Sequence, residues 1–131
     1  MEAFSGRKDQ SPWFFKGQPH PFVLGSESPR RRDLLTQIGL KFEQKVVATD
    51  ESWPDLPVAQ DAAKEIARRK AIAVAQETSD SVILGADTVV MLDNEPLGKP
   101  RSDDHALDML RRLVGRSHKV ITGIALVDQS N

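Results

Sequence analysis

The sequence predicts an α/β domain in which strands and helices alternate along the chain. Short apolar runs typical of strands are separated by segments whose apolar residues recur at helical spacing. The longest apolar run, Ser81 to Leu92, is almost continuous, as in a strand that is covered on both faces. Such an alternation favours a central sheet flanked by helices.

Composition excludes several functional classes. The 131 residues form one domain or part of one, and 39% hydrophobic and 28% charged residues are ordinary for a soluble globular chain. The net charge of −1 gives no general attraction to nucleic acid or membrane, so we expect neither as a partner. The chain has no cysteine, which excludes thiolate metal sites and a cysteine nucleophile.

The location that these features favour is the cytoplasm. The absence of cysteine fits a reducing compartment. No run approaches the roughly 18 apolar residues of a membrane span, and the first residues lack the apolar core of a secretory signal.

Residues 1–21 are predicted to be a disordered extension, ahead of a domain that occupies residues 22–131. The extension is rich in glycine, proline, serine and charge, and its only apolar cluster is Trp13-Phe14-Phe15. A segment that docks on a partner, or a targeting extension, is the alternative.

The first part of the domain reads as strand, tight turn and helix. Phe22-Val23-Leu24 is the strand, Ser28 suits the helix N-cap, Pro29 suits the first helical position and Gly39 ends the helix. One apolar face is predicted for this helix, made of Leu34, Leu35 and Ile38.

Three arginines, Arg30 to Arg32, fall in the first turn of that helix. Cations are unfavourable there, because the helix dipole favours anions at its N-terminus. A bound phosphate would reconcile the two, since backbone N–H groups and guanidinium groups would both hold it. A solvated basic helix end is the competing interpretation.

Two further groups of charges are candidates for a site. Lys41 to Ala48 is predicted to be a strand, and the acidic pair Asp50-Glu51 follows it in a loop, either simply solvated or ready to bind a hard cation. Ala59 to Glu77 is predicted to be a helix, and Lys70 lies on its apolar stripe. That lysine either reaches out to solvent or points inward at an anionic ligand.

Asp87 and Thr88 interrupt the long apolar run. A carboxylate in such a run is costly unless it is paired, hydrogen-bonded or metal-bound. A turn at Gly85-Ala86-Asp87 would be an ordinary explanation, but a catalytic or metal-binding carboxylate is the stronger hypothesis.

The last third of the domain is predicted to contain a turn, a helix and a strand. The turn is Asp93 to Pro96, and Lys99 follows between a glycine and a proline, either as an exposed loop residue or held for function. Ser102 caps a helix that Gly115 ends, and His118 to Val127 reads as a strand. The predicted buried face of the helix is Ala106, Leu107, Met109, Leu110 and Leu113.

These positions occur in the order of one known family. The motifs are Ser26-Glu27-Ser28-Pro29-Arg30-Arg31, Asp50-Glu51, Ala67-Arg68-Arg69-Lys70-Ala71, Gly85-Ala86-Asp87-Thr88-Val89-Val90, Leu97-Gly98-Lys99-Pro100 and Gly115-Arg116-Ser117-His118-Lys119-Val120-Ile121-Thr122-Gly123. Each alone is weak, but the ordered set, from Phe22 to Asp128, strongly resembles the Maf family of nucleoside triphosphate pyrophosphatases.

The resemblance implies an elongated α/β fold, with a twisted mixed sheet flanked by helices and a nucleotide cleft between two lobes. It implies hydrolysis of nucleoside triphosphates to the monophosphate and diphosphate with a divalent cation, for which Mg or Mn suits carboxylate and phosphate oxygens. A homodimer is common in this family.

The resemblance also assigns roles to the acids and lysines. Asp87 matches the proton acceptor that activates water, and Glu51 matches the acidic position near the metal, so that Glu51 and Asp87 are the expected metal ligands. Lys70 and Lys99 match lysines that contact the phosphates.

Substrate recognition is implied by a second set of matches. Ser28, Arg30 and Arg31 match the turn near the phosphates and the base. Arg30 and Thr88 match positions that separate subfamilies, and this combination is similar to the branch that acts on dTTP and UTP, with modified pyrimidine nucleotides as further candidates.

Family members continue well beyond the end of this sequence, with further strands, a helix and a Gly-Ile-Gln segment. We therefore expect a C-terminally truncated member whose sheet exposes apolar edges. The alternatives are a related triphosphatase that prefers purine or modified nucleotides, and a non-catalytic protein that binds nucleotide or acts in cell-division arrest.

Overall fold

The structure is a computed structural model that describes residues 20–98 and 100–129. All but the last two residues of the predicted N-terminal extension, and Lys99, lie outside these ranges. None of the helices in the described ranges has both the length and the apolar character to cross a membrane.

The described residues form a mixed α/β fold, as predicted. Strands and helices alternate through most of the chain, and the strands join in one five-stranded sheet. In chain order the elements are β1 (Phe22–Leu24), α1 (Pro29–Gln37), β2 (Glu43–Gln44), α2 (Ala59–Ala75), β3 (Val82–Leu92), β4 (Glu95–Leu97), α3 (Asp103–Leu113) and β5 (Lys119–Asp128).

Strand β3 is the centre of the sheet. Strand β5 pairs antiparallel with it along nearly its whole length on one edge. On the other edge, β1 pairs in parallel with the first three residues of β3, and β4 pairs antiparallel with the last three. A gap therefore separates β1 from β4 beside the middle of β3.

Helix α2 lies against one face of the sheet and approaches two strands closely. A Cβ atom at Gly85 in β3 would lie 2.3 Å from the carbonyl oxygen of Ala67, and a Cβ atom at Gly123 in β5 would lie 2.5 Å from the carbonyl carbon of Ala63. The glycines and the helix alanines thus let the helix backbone nearly touch the sheet. This close approach sets how far the side chains of α2 reach past β3.

The core lies between α2 and this face of the sheet. One cluster consists of Val23, Ala71, Val74 and Ile83, and a second consists of Ala63, Val89 and Met91. Trp53 packs on the second cluster and connects the loop after β2 to the core. Strand β3 runs unbroken from Val82 to Leu92 and pairs with β5 through Gly85, Ala86 and Asp87, which overturns the alternative of a turn there.

The predicted ends of α1 and α3 are confirmed, whereas α2 begins at Ala59 as predicted but ends at Ala75 and not at Glu77. The Ser28 hydroxyl accepts a hydrogen bond from the Arg31 N–H, and the Ser102 hydroxyl accepts one from the His105 N–H. Gly39 and Gly115 follow α1 and α3 with positive φ angles of 82° and 71°, the conformation that glycine adopts most easily.

The predicted buried face of α3 is wrong, because this helix has no buried residue. The residues of the apolar face predicted for α1 are not buried either. Leu34 in α1 is 53% exposed, and Leu107 and Leu110 in α3 are 49% and 58% exposed. Amphipathic spacing shows which side of a helix is apolar, but a second element must cover that side, and none of the described elements does so.

Two local predictions need correction. The strand predicted from Lys41 to Ala48 is reduced to the two residues of β2, because β1, its partner within the described ranges, is three residues long. The turn predicted over Asp93 to Pro96 is a tight hairpin in which only Asp93 and Asn94 form the loop, both with positive φ, and β4 begins at Glu95.

The second face of the β3–β5 pair is largely open. Val120, Ile124 and Leu126 point to this face and are each about 61% exposed. The outer edge of β5 has no strand partner among the described residues. Within the described ranges the sheet therefore has an unpaired edge at β5 and an exposed apolar face beside it, in agreement with the expectation of exposed apolar edges.

Candidate active site

The site lies where the edge of β3 is open between β1 and β4. Asp87 and Thr88 are in the middle of this stretch, and their side chains belong to opposite faces of the sheet. Both residues line a cleft at the open edge. The cleft has a volume of about 650 Å³. It is lined by Gly25, Ser26, Glu27, Ser28, Arg31, Val46, Val47, Ala48, Thr49, Glu51, Lys70, Asp87 and Thr88.

Lys70 is the central cation of the cleft. Its Nζ lies 2.9 Å from a carboxylate oxygen of Glu51 and 3.1 Å from one of Asp87. The side chains of Lys70 and Asp87 are only 22% and 15% exposed, whereas Glu51 is about half exposed. Lys70 therefore points inward, and the alternative in which it reaches out to solvent is wrong.

The protonation of Lys70 follows from two opposing effects. Burial alone would lower the pKa of its ammonium group, because desolvation penalises charge. Hydrogen bonds from the ammonium to Glu51 and Asp87, and the negative charge of these carboxylates, outweigh burial and raise the pKa above the ordinary lysine value. The cleft thus contains a charged ammonium at neutral pH.

The loop that carries Glu51 is fastened to α2. Arg69 donates hydrogen bonds from one guanidinium nitrogen to the carbonyl oxygens of Asp50, at 3.3 Å, and Ser52, at 3.1 Å. The Ser52 N–H donates to the Asp50 carboxylate at 2.9 Å, and hydrogen bonding from Ser52 lowers the pKa of Asp50. These contacts hold Glu51 beside Lys70.

Arg31 enters the cleft from the start of α1 and is held by hydroxyl groups. One of its terminal nitrogens donates to the Ser26 hydroxyl at 3.0 Å, and the other donates to the Thr88 hydroxyl. Ser28 contributes by capping the helix that carries the arginine. The guanidinium group keeps further N–H donors for a ligand.

The structure brings six of the eight predicted site residues to one cleft. These are Ser28, Arg31, Glu51, Lys70, Asp87 and Thr88. Arg30 instead lines a neighbouring groove of about 800 Å³, which shares Ser28, Arg31 and Thr88 with the cleft. Lys99 lies outside the described residues, so its predicted role stays a prediction.

Glu51 and Asp87 are the candidate ligands for a divalent cation. Glu51 and Asp87 direct carboxylate oxygens to one point, now held by the Lys70 ammonium. Among the described residues no three Asp, Glu or His side chains converge on one site. Two carboxylates fit a magnesium-like ion that takes its other ligands from phosphate and water.

Sequence reasoning missed three residues that shape the cleft. Ser26 was quoted only as part of a motif, Arg69 was placed off the apolar stripe of α2, and Thr122 was given no role. Their contacts lie between 5 and 34 positions away in the chain. Thr122 becomes visible only from the pairing of β3 with β5, and Arg69 only from the closeness of the acidic loop to α2 in space.

Comparison with known proteins agrees with the fold and the motifs. The family model described as "Maf-like protein" matches residues 21–131. A dTTP/UTP pyrophosphatase of Desulforamulus reducens is 43% identical over 110 residues, which cover 84% of this chain and 58% of that protein.

Two other dTTP/UTP pyrophosphatases are similarly close. Those of Chlorobaculum tepidum and Escherichia coli strain K12 are each 46% identical over 109 residues, which cover 80% and 82% of this chain respectively and 55% of each relative. The chain thus spans somewhat more than half the length of the curated relatives it matches. The extent of the family match and these identities show that the chain belongs to the family of Maf-like proteins.

Proposed function

We propose that this chain hydrolyses nucleoside triphosphates, with dTTP and UTP as substrates, to the nucleoside monophosphate and diphosphate. The relatives that carry the name dTTP/UTP pyrophosphatase support the reaction and the substrates. The observation that carries the proposal is the Lys70 ammonium between the Glu51 and Asp87 carboxylates, in the same cleft as Arg31.

This reaction requires stabilisation of the phosphate charge and correct positioning of the reacting groups. Arg31 and Lys70 neutralise negative charge on the triphosphate, which develops further as the anhydride bond breaks. Asp87, only 15% exposed and fixed by Lys70, accepts a proton from the attacking water. Water oxygen bonds to phosphorus, the anhydride bond between the α- and β-phosphates breaks, and diphosphate leaves.

The proposed site also binds a divalent cation. Glu51 and Asp87 would hold Mg²⁺ or Mn²⁺ together with phosphate oxygens, and the Lys70 ammonium would then be free to contact phosphate. The ion would supply charge stabilisation and would lower the pKa of bound water. Lys99 is proposed as a second lysine for the phosphates, by resemblance to the family motif.

The proposal also includes recognition of the nucleobase. Thr88 lies in the cleft and Arg30 lines the adjoining groove, so the two residues that separate subfamilies border a continuous surface around Arg31. The proposed pyrimidine preference rests on the resemblance of Arg30 and Thr88 to the branch that acts on dTTP and UTP, and the proposal includes modified pyrimidine nucleotides.

The direct test is turnover of dTTP and UTP with Mg²⁺ by the wild-type chain and by Asp87→Asn. We expect Asp87→Asn to lose at least about 100-fold in rate, in the range typical of general-base removal, while its circular dichroism and melting temperature remain close to wild type. Asp108→Asn, on the exposed surface of α3, is the matched control and should turn over normally.

Product analysis makes the test decisive. Monophosphate plus diphosphate in equal amounts supports the proposal, whereas nucleoside diphosphate plus phosphate contradicts it. Near-normal turnover by a folded Asp87→Asn variant would remove Asp87 from the mechanism. Nucleotide binding without any turnover by the wild-type chain would favour the non-catalytic alternative.

A further inference from the structure

We propose that Thr122 is a positioning residue of the cleft, which holds Thr88 and, through Thr88, the guanidinium group of Arg31. The inference rests on the proposed function, because Arg31 is taken to bind the triphosphate. Thr122 itself does not line the cleft of the candidate active site, but it lines the adjoining groove that contains Arg30.

The first observation is a chain of hydrogen bonds. The hydroxyl oxygens of Thr122 and Thr88 lie 2.9 Å apart, and Thr88 also accepts a hydrogen bond from Arg31. A hydroxyl that accepts from arginine still has its own proton to donate, so Thr88 can donate to Thr122 while it holds Arg31. Hydrogen bonds in such a chain strengthen one another.

The second observation is the strand register. Thr88 in β3 lies directly opposite Thr122 in β5, and opposed residues point to the same face. The Val82 N–H donates a hydrogen bond to the Pro21 carbonyl oxygen, and the Leu84 carbonyl oxygen accepts one from the Gly25 N–H. The N–H and C=O groups of even-numbered residues in β3 therefore point away from β5. Thr88 and Thr122 therefore form a non-hydrogen-bonded pair, in which side chains approach most closely.

The third observation is that Thr88 has a paired strand on the β5 side of β3 but no strand on the opposite side among the described residues. It is an exposed residue in the stretch of β3 that neither β1 nor β4 covers. Its side chain could rotate away from Arg31 if nothing held the hydroxyl group. Thr122 lies on the paired side of β3 and fixes this rotamer, so that two anchors, Ser26 and Thr88, aim the arginine.

The consequence is a defined effect on binding rather than on chemistry. Without Thr122 the guanidinium group is free to turn, and the substrate must order it, which weakens binding. We expect Thr122→Val to raise KM for dTTP about 3- to 10-fold, the effect of one lost hydrogen bond, with kcat changed less than twofold. Thr122→Ser retains the hydroxyl group and should restore the wild-type KM.

A measurement on the free chain makes the test independent of turnover. Arginine side-chain NMR, assigned with Arg31→Lys, should show slow exchange of the Arg31 terminal N–H groups in wild type and Thr122→Ser. Thr122→Val should show fast exchange. Thr36→Val is the matched control, because that hydroxyl donates to the Arg32 carbonyl oxygen within α1, away from Arg31 and Thr88.

The outcomes separate this inference from the proposed function. If the wild-type chain turns over no triphosphate, the proposed function fails, and the NMR comparison alone decides the role of Thr122. Equal Arg31 spectra in wild type and Thr122→Val would overturn the inference. A Thr122→Ser variant as impaired as Thr122→Val would also overturn it, because packing and not the hydroxyl group would then matter.

Discussion

At the scale of single residues, the cleft depends on charged groups that hold one another in place. Lys70 holds the two carboxylates, and hydroxyl groups hold Arg31. The same principle applies to main-chain atoms, since Arg69 holds the carbonyl groups of the acidic loop. A residue that never touches substrate can therefore decide where a reactive group lies.

The two neighbouring arginines of α2 give a prediction at this scale. Arg69→Ala should free the loop that carries Glu51 and lower kcat/KM for dTTP about tenfold, because Glu51 is no longer fixed beside Lys70. Steady-state kinetics with Mg²⁺ measures this effect. The melting temperature should change little, since only exposed hydrogen bonds are lost.

Arg68→Ala is the control for that experiment. Arg68 pairs with Glu65 one helical turn away, at 2.8 Å on the surface, and such a pair contributes a few tenths of a kcal/mol. Equal kinetic losses in Arg68→Ala and Arg69→Ala would show that charge on α2, and not the loop contact, is responsible.

At the scale of secondary structure elements, the contact of α2 with the sheet sets the geometry of the site. Lys70 on α2 meets Asp87 on β3 because the helix backbone lies almost on the strand at Gly85. A larger residue there would push the helix and the strand apart. Stability and the ion pair therefore depend on the same close approach.

Gly85→Ala tests this dependence. The added methyl group would lie 2.3 Å from a backbone oxygen of α2, so we expect the free energy of unfolding to fall by about 1 to 3 kcal/mol. Urea denaturation measures the change. Gly98→Ala is the control, because nothing lies within 4 Å of its added Cβ, and a loss of similar size there would contradict the argument.

The same elements show how far the sequence predicts the structure. Helix ends were predictable because capping serines and terminal glycines act locally, and Asp87 stood out as a carboxylate in an apolar run. Burial of α1 and α3 was not predictable from spacing, which does not say whether another element covers a face. The partnership of Thr88 with Thr122 needed the register of two strands 34 positions apart.

At the scale of the whole molecule, the two faces of the sheet differ. Helix α2 covers one face, whereas Val120, Ile124 and Leu126 leave an apolar surface on the other. Exposed apolar surface of this kind, next to an unpaired strand edge among the described residues, favours self-association at high concentration. The cleft opens beside this surface, and Val120 and Ile124 also line the adjoining groove that contains Arg30.

Ile124→Thr should therefore improve the behaviour of the chain in solution. Threonine retains a β-branched side chain and removes apolar area, so the fold should persist while association weakens. Light scattering as a function of protein concentration measures the difference. Leu56→Thr is the control, since Leu56 is 42% exposed but lies in a loop outside the open face, and an equal improvement there would contradict the role of this face.

The gap beside the middle of β3 has one further consequence. Strand β1 ends its pairing at Leu84 and β4 begins its pairing at Val90, so the peptide groups of Ala86 and Thr88 face the gap without a strand partner among the described residues. These main-chain N–H and C=O groups offer a ligand a row of hydrogen bonds that every amino acid except proline would supply. Recognition through the peptide backbone survives side-chain substitution, so this part of the cleft can keep its hydrogen-bonding pattern while the residues around it diverge.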